Sequence, residues 1–331
     1  MAGGLTTADN IIREDLSRAL ILIDMKNTPF FSRLKKGDKL KALEFSHGVE
    51  HMGARRTDPI PENKDVDGFE GDDQKKLWQR AQKFWRTPRV STEMERIVDN
   101  VDETKGRYKK QVTKKTKEQK RDIETVLLSD QDAKEDSGVL GYATMGMGRI
   151  INDGTLAFGD SLTAIPADYR TPAAQIYTGT LTDFDEDDLK AILKSIADNT
   201  GQINEFTLFA GSTLKQFISD TFGNYRPNKE GYTVVVRTQT QAVDKRKFMA
   251  AVVDIYEGEF GIFDVEWTPY LPSPKRGYLV DMDDKALRPG FYLEHEELPY
   301  QGGGRSGLIE SILGMDYGDP RSDGKIACSD E

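Results

Sequence analysis

Residues 102–129, DETKGRYKKQVTKKTKEQKRDIETVLLS, place the tightest constraint on what this chain can fold into. The stretch predicts one long helix. Val101, Tyr108, Val112, Ile123 and Val126 or Leu127 recur at helical spacing, with Thr116 and Gln119 filling gaps on the same side. About 28 residues at roughly 1.5 Å each make a rod of around 40 Å. A stripe so narrow does not belong to a helix wrapped by an enzyme core. The rod is expected to lie across a thin, sheet-like body, its lysine-rich surface left for solvent or neighbouring subunits.

Composition agrees with an extended shape. Of the 331 residues, 37% are hydrophobic and 31% charged, and the mean hydropathy is −0.60. Those values permit a core but leave a polar remainder, as a high surface-to-volume ratio or disordered segments would. The net charge of −10 argues against a surface that grips nucleic acid throughout, although residues 102–121 are locally basic. The single cysteine, Cys328, rules out a disulfide framework within one chain. No apolar run approaches the roughly 20 residues needed to span a bilayer, and ALILIDM follows an acidic stretch rather than a basic one. The expectation is a soluble protein that matures in a cytoplasm.

Along the chain, residues 1–37 read as an N-terminal arm in which Pro29 breaks any helix before two phenylalanines and a basic turn. Residues 38–98 read as a long excursion. LKALEFSHGVEHM leads out to a tip rich in Pro, Gly and Asp, and KKLWQRAQKFWRTPRVST returns. On the return arm Trp78 and Phe84 share one face, and Leu77, Ala81 and Trp85 the other. A two-faced hairpin without a covering layer is marginal alone, so it needs something to pack on. After the helix and a glycine-rich connection, DFDEDDLKAILKSIADNT predicts a helix with acids in its first turn and an apolar face of Leu189, Ile192, Leu193 and Ile196. FTLFAG predicts a buried strand. STLKQFISDTFG predicts a helix capped by Ser212 or Thr213 and stopped by Gly223. YTVVVRTQT, KFMAAVVDIY and FGIFDVEWTPYL read as strands, the last two joined antiparallel by YEGEFG. The last 60 or so residues read as irregular.

Candidate chemistry is sparse. His47 and His51 have i,i+4 spacing, but Gly48 and the extended context argue against a metal pair, and His295 with Glu296 and Glu297 reads as a solvated cluster. Asp183, Asp185 and Asp187 begin like a calcium loop, yet Asp188 and Lys194 stand where that loop needs Gly and Glu. GMGRIIND lacks the third glycine of a dinucleotide fingerprint, and Cys328 sits in a polar tail without a nearby histidine. The reading is a protein without catalytic residues, cofactor or metal. An alternative remains in the basic helix at 102–121, which could bind nucleic acid with help from aromatics in the preceding arm.

The order of parts resembles the major capsid proteins of tailed bacteriophages with the Hong Kong 97 fold. TPFFSRLKKG at 28–37, KKLWQRAQKFWRTPRVST at 75–92 and KEQKRDIETVLLS at 117–129 carry the likeness, with weaker support from FTLFAGSTLKQFISDTFG and VVDIYEGEFGIFDVEWTP. The resemblance implies an α+β chain with an N-terminal arm at 1–37 and an extended loop at 38–98 lying over a neighbouring subunit. It implies a peripheral domain at 99–165 and 290–331 with a spine helix at about 102–129, and an axial domain at 166–289. Phe30, Phe31, Trp78, Phe84, Trp85 and Arg86 would be assembly-interface residues, since buried aromatics tend to dominate interface energy. The partners implied are other copies in pentamers and hexamers, then a separate scaffolding protein, a portal and a decoration protein. Packaged DNA would be met only non-specifically, and no membrane is involved. The place implied is the capsid of the virion, assembled in the host bacterial cytoplasm. A minor or decoration virion protein is the other reading within this class. The Asp/Pro-rich insertion around 58–73 is more elaborate than a minimal loop, and no lysine–asparagine cross-linking pair is identified.

Overall fold

The computed structural model describes residues 28–50, 74–93, 107–201, 205–222, 255–300 and 302–329, with isolated residues at 52, 57, 59 and 62. The chain opens on helix α1 (Pro29–Arg33), strand β1 (Lys35–Lys36) and the hairpin strands β2 (Glu44–Val49) and β3 (Lys75–Arg80). Strands β4 (Gln82–Arg86) and β5 (Arg89–Val90) precede the long helix α2 (Arg107–Leu127) and the short α3 (Met147–Ile150). Then come β6 (Ile176–Tyr177), α4 (Glu186–Thr200), β7 (Glu205–Ala210), α5 (Ser212–Phe222), β8 (Ile255–Gly258) and β9 (Gly261–Trp267). The chain closes on β10 (Arg276–Val280), β11 (Ala286–Glu297), β12 (Arg305–Asp316) and β13 (Gly324–Ala327). The fold is α+β. Among the described residues a six-stranded sheet has the order β6–β13–β10–β7–β9–β8. A five-stranded sheet has the order β1–β11–β12–β4 with β5 also on β12, and β2–β3 form a ribbon.

The chain divides into two compact units. The larger comprises residues 27–84, 120–292 and 311–331. The smaller comprises the described residues within 85–119 and 293–310. In the larger unit the six-stranded sheet carries the apolar core. Leu189, Ile192, Leu193 and Ile196 of α4 pack with Phe206, Leu208, Leu214, Ile218, Phe263, Val265, Leu279 and Ile326. Helix α4 begins where the sequence places it because Asp185 and Asp188 form a reciprocal capping box, satisfying two N–H groups that a helix start leaves open. It ends at Gly201, whose φ of 68° is the left-handed conformation a glycine adopts freely. Strands β8 and β9 pair antiparallel through Gly258 and Gly261, the turn read from YEGEFG.

Several expectations need correction. Pro29 opens a helix rather than breaking one. It stands at the first helical position, where its missing N–H would have no intrahelical partner anyway. The long helix is described from Arg107, with Val101 and residues 102–106 outside the described residues. The return arm is not one strand. It breaks at Ala81, so β3 pairs with β2 while β4 joins the other sheet. The base of the hairpin is covered by its own chain: Leu77 and Gln79 are buried, and the Gln79 carboxamide bonds both the N–H and the C=O of Met145.

The last 60 residues are largely regular, with two 12-residue strands and two short ones among the described residues. The alternation of β12 is hidden because Gly307 and Ser311 share its inward face with Ile309, Leu313 and Met315. Phe45 lies so close to Gly314 that a side chain there would collide with its ring. Cys328 is buried in the apolar core beyond β13 rather than loose in a polar tail, and burial raises its thiol pKa. Ser212 is already helical, following Gly211, whose missing side chain leaves room for Pro274. The strands expected at 232–240 and in the first part of 247–256, like the stop at Gly223, lie outside the described residues.

Candidate assembly surfaces

In the smaller unit, α2 meets strands β11 and β12 through polar and aromatic groups. The Tyr108 hydroxyl lies 3.1 Å from His295 Nε2, and the Arg305 guanidinium stands 4.7 Å over the Tyr108 ring. Arg305 also donates twice to Glu297, at 2.8 and 3.0 Å, a bidentate pair that fixes both side chains. Gly307 lacks the side chain that would strike the Tyr108 hydroxyl. Burial raises the Tyr108 pKa, reinforced by the Glu297 charge and opposed by Arg305.

The remaining faces of this unit follow from period alone. Tyr108 and Gln119 are buried, so Lys110, Lys114 and Lys117, at i, i+4 and i+7, fall on the opposite side of the helix and are exposed. On β11 the side chain of His295 points to the helix, so Glu294 and Glu296 point the other way, and both are exposed. Arg86 reaches Glu118 of α2 at 3.9 Å, which turns its neighbour Trp85 away from the helix. Trp85 is 63% exposed.

The larger unit buries three sets of ionisable groups and answers them within the chain. Glu124 of α2 is fully buried and accepts the N–H groups of Phe30 at 3.0 Å and Phe31 at 2.7 Å, fastening the start of α1. Burial pushes its carboxyl up to about 7 against those two hydrogen bonds, which favour the charged form. Lys285 and Asp323 form an ion pair at 3.1 Å with neither side chain exposed, and the N–H of Asp281 also donates to Asp323. Burial raises the Asp323 carboxyl to about 7, with Lys285 opposing. His47 is an anchor. Its Nδ1 lies 2.9 Å from Asp316, whose other oxygen is 3.0 Å from Arg288, and its Nε2 is 3.0 Å from the Gly318 carbonyl. Burial opposes ionisation of Asp316, but the His47 hydrogen bond and the charges of His47 and Arg288 bring its pKa below the ordinary value.

The six residues expected at assembly contacts therefore have different surroundings. Phe30 and Phe31 are buried in their own chain, Phe30 edge-to-face on Phe209 at 5.1 Å, and Phe84 is buried too. Trp78 is half-buried, the Arg86 side chain is 40% exposed, and Trp85 is open. Sequence reasoning did not single out Glu124 or the Lys285–Asp323 pair. Glu124 could have been found as the acid one turn before Leu127 and Leu128 on the apolar side of α2. Lys285 and Asp323 are distant in sequence and carry no local signal. Among the described residues no group of three or more His, Cys, Asp or Glu could hold a metal ion, and no helix is long and apolar enough to cross a membrane.

A family model described as SU10 major capsid protein matches residues 2–328. Solved structures with a similar fold include the cyanophage A-1(L) capsid asymmetric unit, with a TM-score of 0.64 and 11% identity, covering 98% of this chain and 99% of that one. The capsid of the native GTA particle gives a TM-score of 0.63 at 10% identity, covering 98% of each chain. A chain of Gordonia phage Cozz gives 0.59 at 12% identity, covering 100% of this chain and 97% of that one. At such identities the likeness is one of fold. No curated protein sequence matches the chain.

Proposed function

The chain belongs to the SU10 major capsid protein family, with the Hong Kong 97-type fold, and from that premise we propose that it self-assembles into pentamers and hexamers of an icosahedral phage head enclosing double-stranded DNA. It is a structural component of the virion. The observation that carries the proposal is the family match over residues 2–328, nearly the whole chain.

In this reading residues 38–98 form the extended loop over a neighbouring subunit, and α2 is the spine of the peripheral domain. Residues 166–289 form the axial domain, to which β13 adds a strand of the same sheet. Of the six contact residues, Trp85 is the principal anchor between copies, with Trp78 and Arg86 as further contacts. Scaffolding, portal and decoration proteins are separate chains, assembly takes place in the host bacterial cytoplasm, and the acidic balance leaves packaged DNA loosely held. Sedimentation velocity of the expressed chain, alone and with a scaffolding protein, tests the proposal. Capsomers or shells are expected. A monomer under both conditions, with the 38–98 loop protected from proteolysis, contradicts it.

A further inference from the structure

The smaller unit carries opposite charges on opposite faces. One is the helix face of Lys110, Lys114 and Lys117, turned away from the strands. The other is the far side of those strands, where alternation places Glu294, Glu296, Leu298 and Trp85. Leu298 is 38% exposed there, and the helix side of the same strands buries Val90 and Ile309. Two cations share the far face: Arg89, paired in register with Ser306, and Lys83, two residues before Trp85 on β4. Both stand on strands that do not pair with β11.

Two like faces cannot meet without repulsion, so a two-fold contact through either is disfavoured. Unlike faces attract, and joining the front of one copy to the back of the next is the head-to-tail contact that generates rings. The chemistry is matched as well as the sign. Lysine stems can cover exposed apolar surface while their ammonium groups reach carboxylates or the face of a tryptophan.

We infer that the lysine face of α2 in one copy docks on the Glu294, Glu296 and Trp85 face of an adjacent copy. The inference rests on the self-assembly proposed above and names the surfaces that join.

Charge exchange tests it. Lys114→Glu with Lys117→Glu sets acid against acid. Glu294→Lys with Glu296→Lys sets base against base. Each double variant is expected to raise the concentration needed for assembly by at least about tenfold. The variant carrying all four substitutions restores an attractive pair and is expected to assemble near the wild-type concentration, which a misfolded chain could not do. Wild type failing to assemble would speak against the self-assembly reading itself. Wild type assembling while both double variants assemble equally well, or while the fourfold variant stays unassembled, overturns the inference. So does a Lys114→Glu, Lys117→Glu variant that loses only binding to single- or double-stranded DNA, since the lysines would then serve nucleic acid.

Discussion

The two units of this chain differ in where their most telling charged groups lie. In the larger one, ionisable groups are drawn inside and answered there: Glu124 by two backbone N–H groups, Asp323 by Lys285, and Asp316 by His47 and Arg288. In the smaller one Tyr108 is buried against His295 and beneath Arg305, the bidentate Arg305–Glu297 pair is about half exposed, and lysines, glutamates and a tryptophan face out. A region with its charges answered internally resists unfolding by itself. A region that presents charge outward is placed to be completed by another molecule. The difference separates residues whose loss should be felt as stability from those whose loss should be felt as association.

The sharpest way to break that distinction is the buried pair. Lys285→Met leaves Asp323 without its ion partner and should lower the unfolding free energy by about 3–5 kcal/mol in urea titrations. Combining Lys285→Met with Asp323→Leu should recover most of the loss, because a packed apolar pair replaces buried charges without penalty. If the double variant is as weak as the single, the pair is not the self-contained unit described. Next, Leu193→Ala in the core should cost about 2–5 kcal/mol, whereas Lys114→Ala on the outward face should stay within about 0.5 kcal/mol.

A pH series sharpens the account of Glu124. Its folded pKa is raised from 4.5 to about 7, so the fold prefers the neutral acid. That contribution is complete below about 4.5 and is lost as the pH rises through about 7, a change on the order of 3 kcal/mol over the interval. Asp323 adds a slope of the same sign in the same window. Glu124→Gln should therefore flatten stability against pH only in part, and a slope equal to wild type would remove Glu124 from the account. The smallest effect on stability is expected at Trp85. Trp85→Ala should leave the unfolding midpoint nearly unchanged and weaken assembly, and the reverse outcome would move Trp85 into the fold's own core.

Where sequence reading succeeded, the signals were local and redundant. The acids at 185–188, the apolar period through Ile196 and Gly201 all point to α4, and the apolar run of β7 and the glycine turn between β8 and β9 are equally self-contained. The fold family was legible because the order of such segments survives when identity falls to about one residue in ten. Strand β12 escaped because Gly307, Ser311 and Gly314 occupy buried positions among Ile309, Leu313 and Met315, which interrupts the apolar alternation. Each glycine is there to admit an aromatic from far along the chain, Tyr108 in one case and Phe45 in the other. Pro29 was misread for a related reason: what makes a helix start of it is Glu124, 95 residues away in sequence. Trp85 and Phe84 could not be told apart without knowing that the strand breaks at Ala81 and that β4 turns one of the two inward.

A cryo-electron microscopy map of the assembled particle, at a resolution that separates side chains, tests the central distinction most directly. The account predicts that Lys110, Lys114 and Lys117 of one copy lie within ion-pairing distance, roughly 4 Å, of Glu294 and Glu296 in an adjacent copy, with Trp85 covered. Glu124 and the Lys285–Asp323 pair should keep their partners within the chain. A map in which the lysine face looks onto solvent or DNA, and Trp85 stays open in every copy, would contradict it.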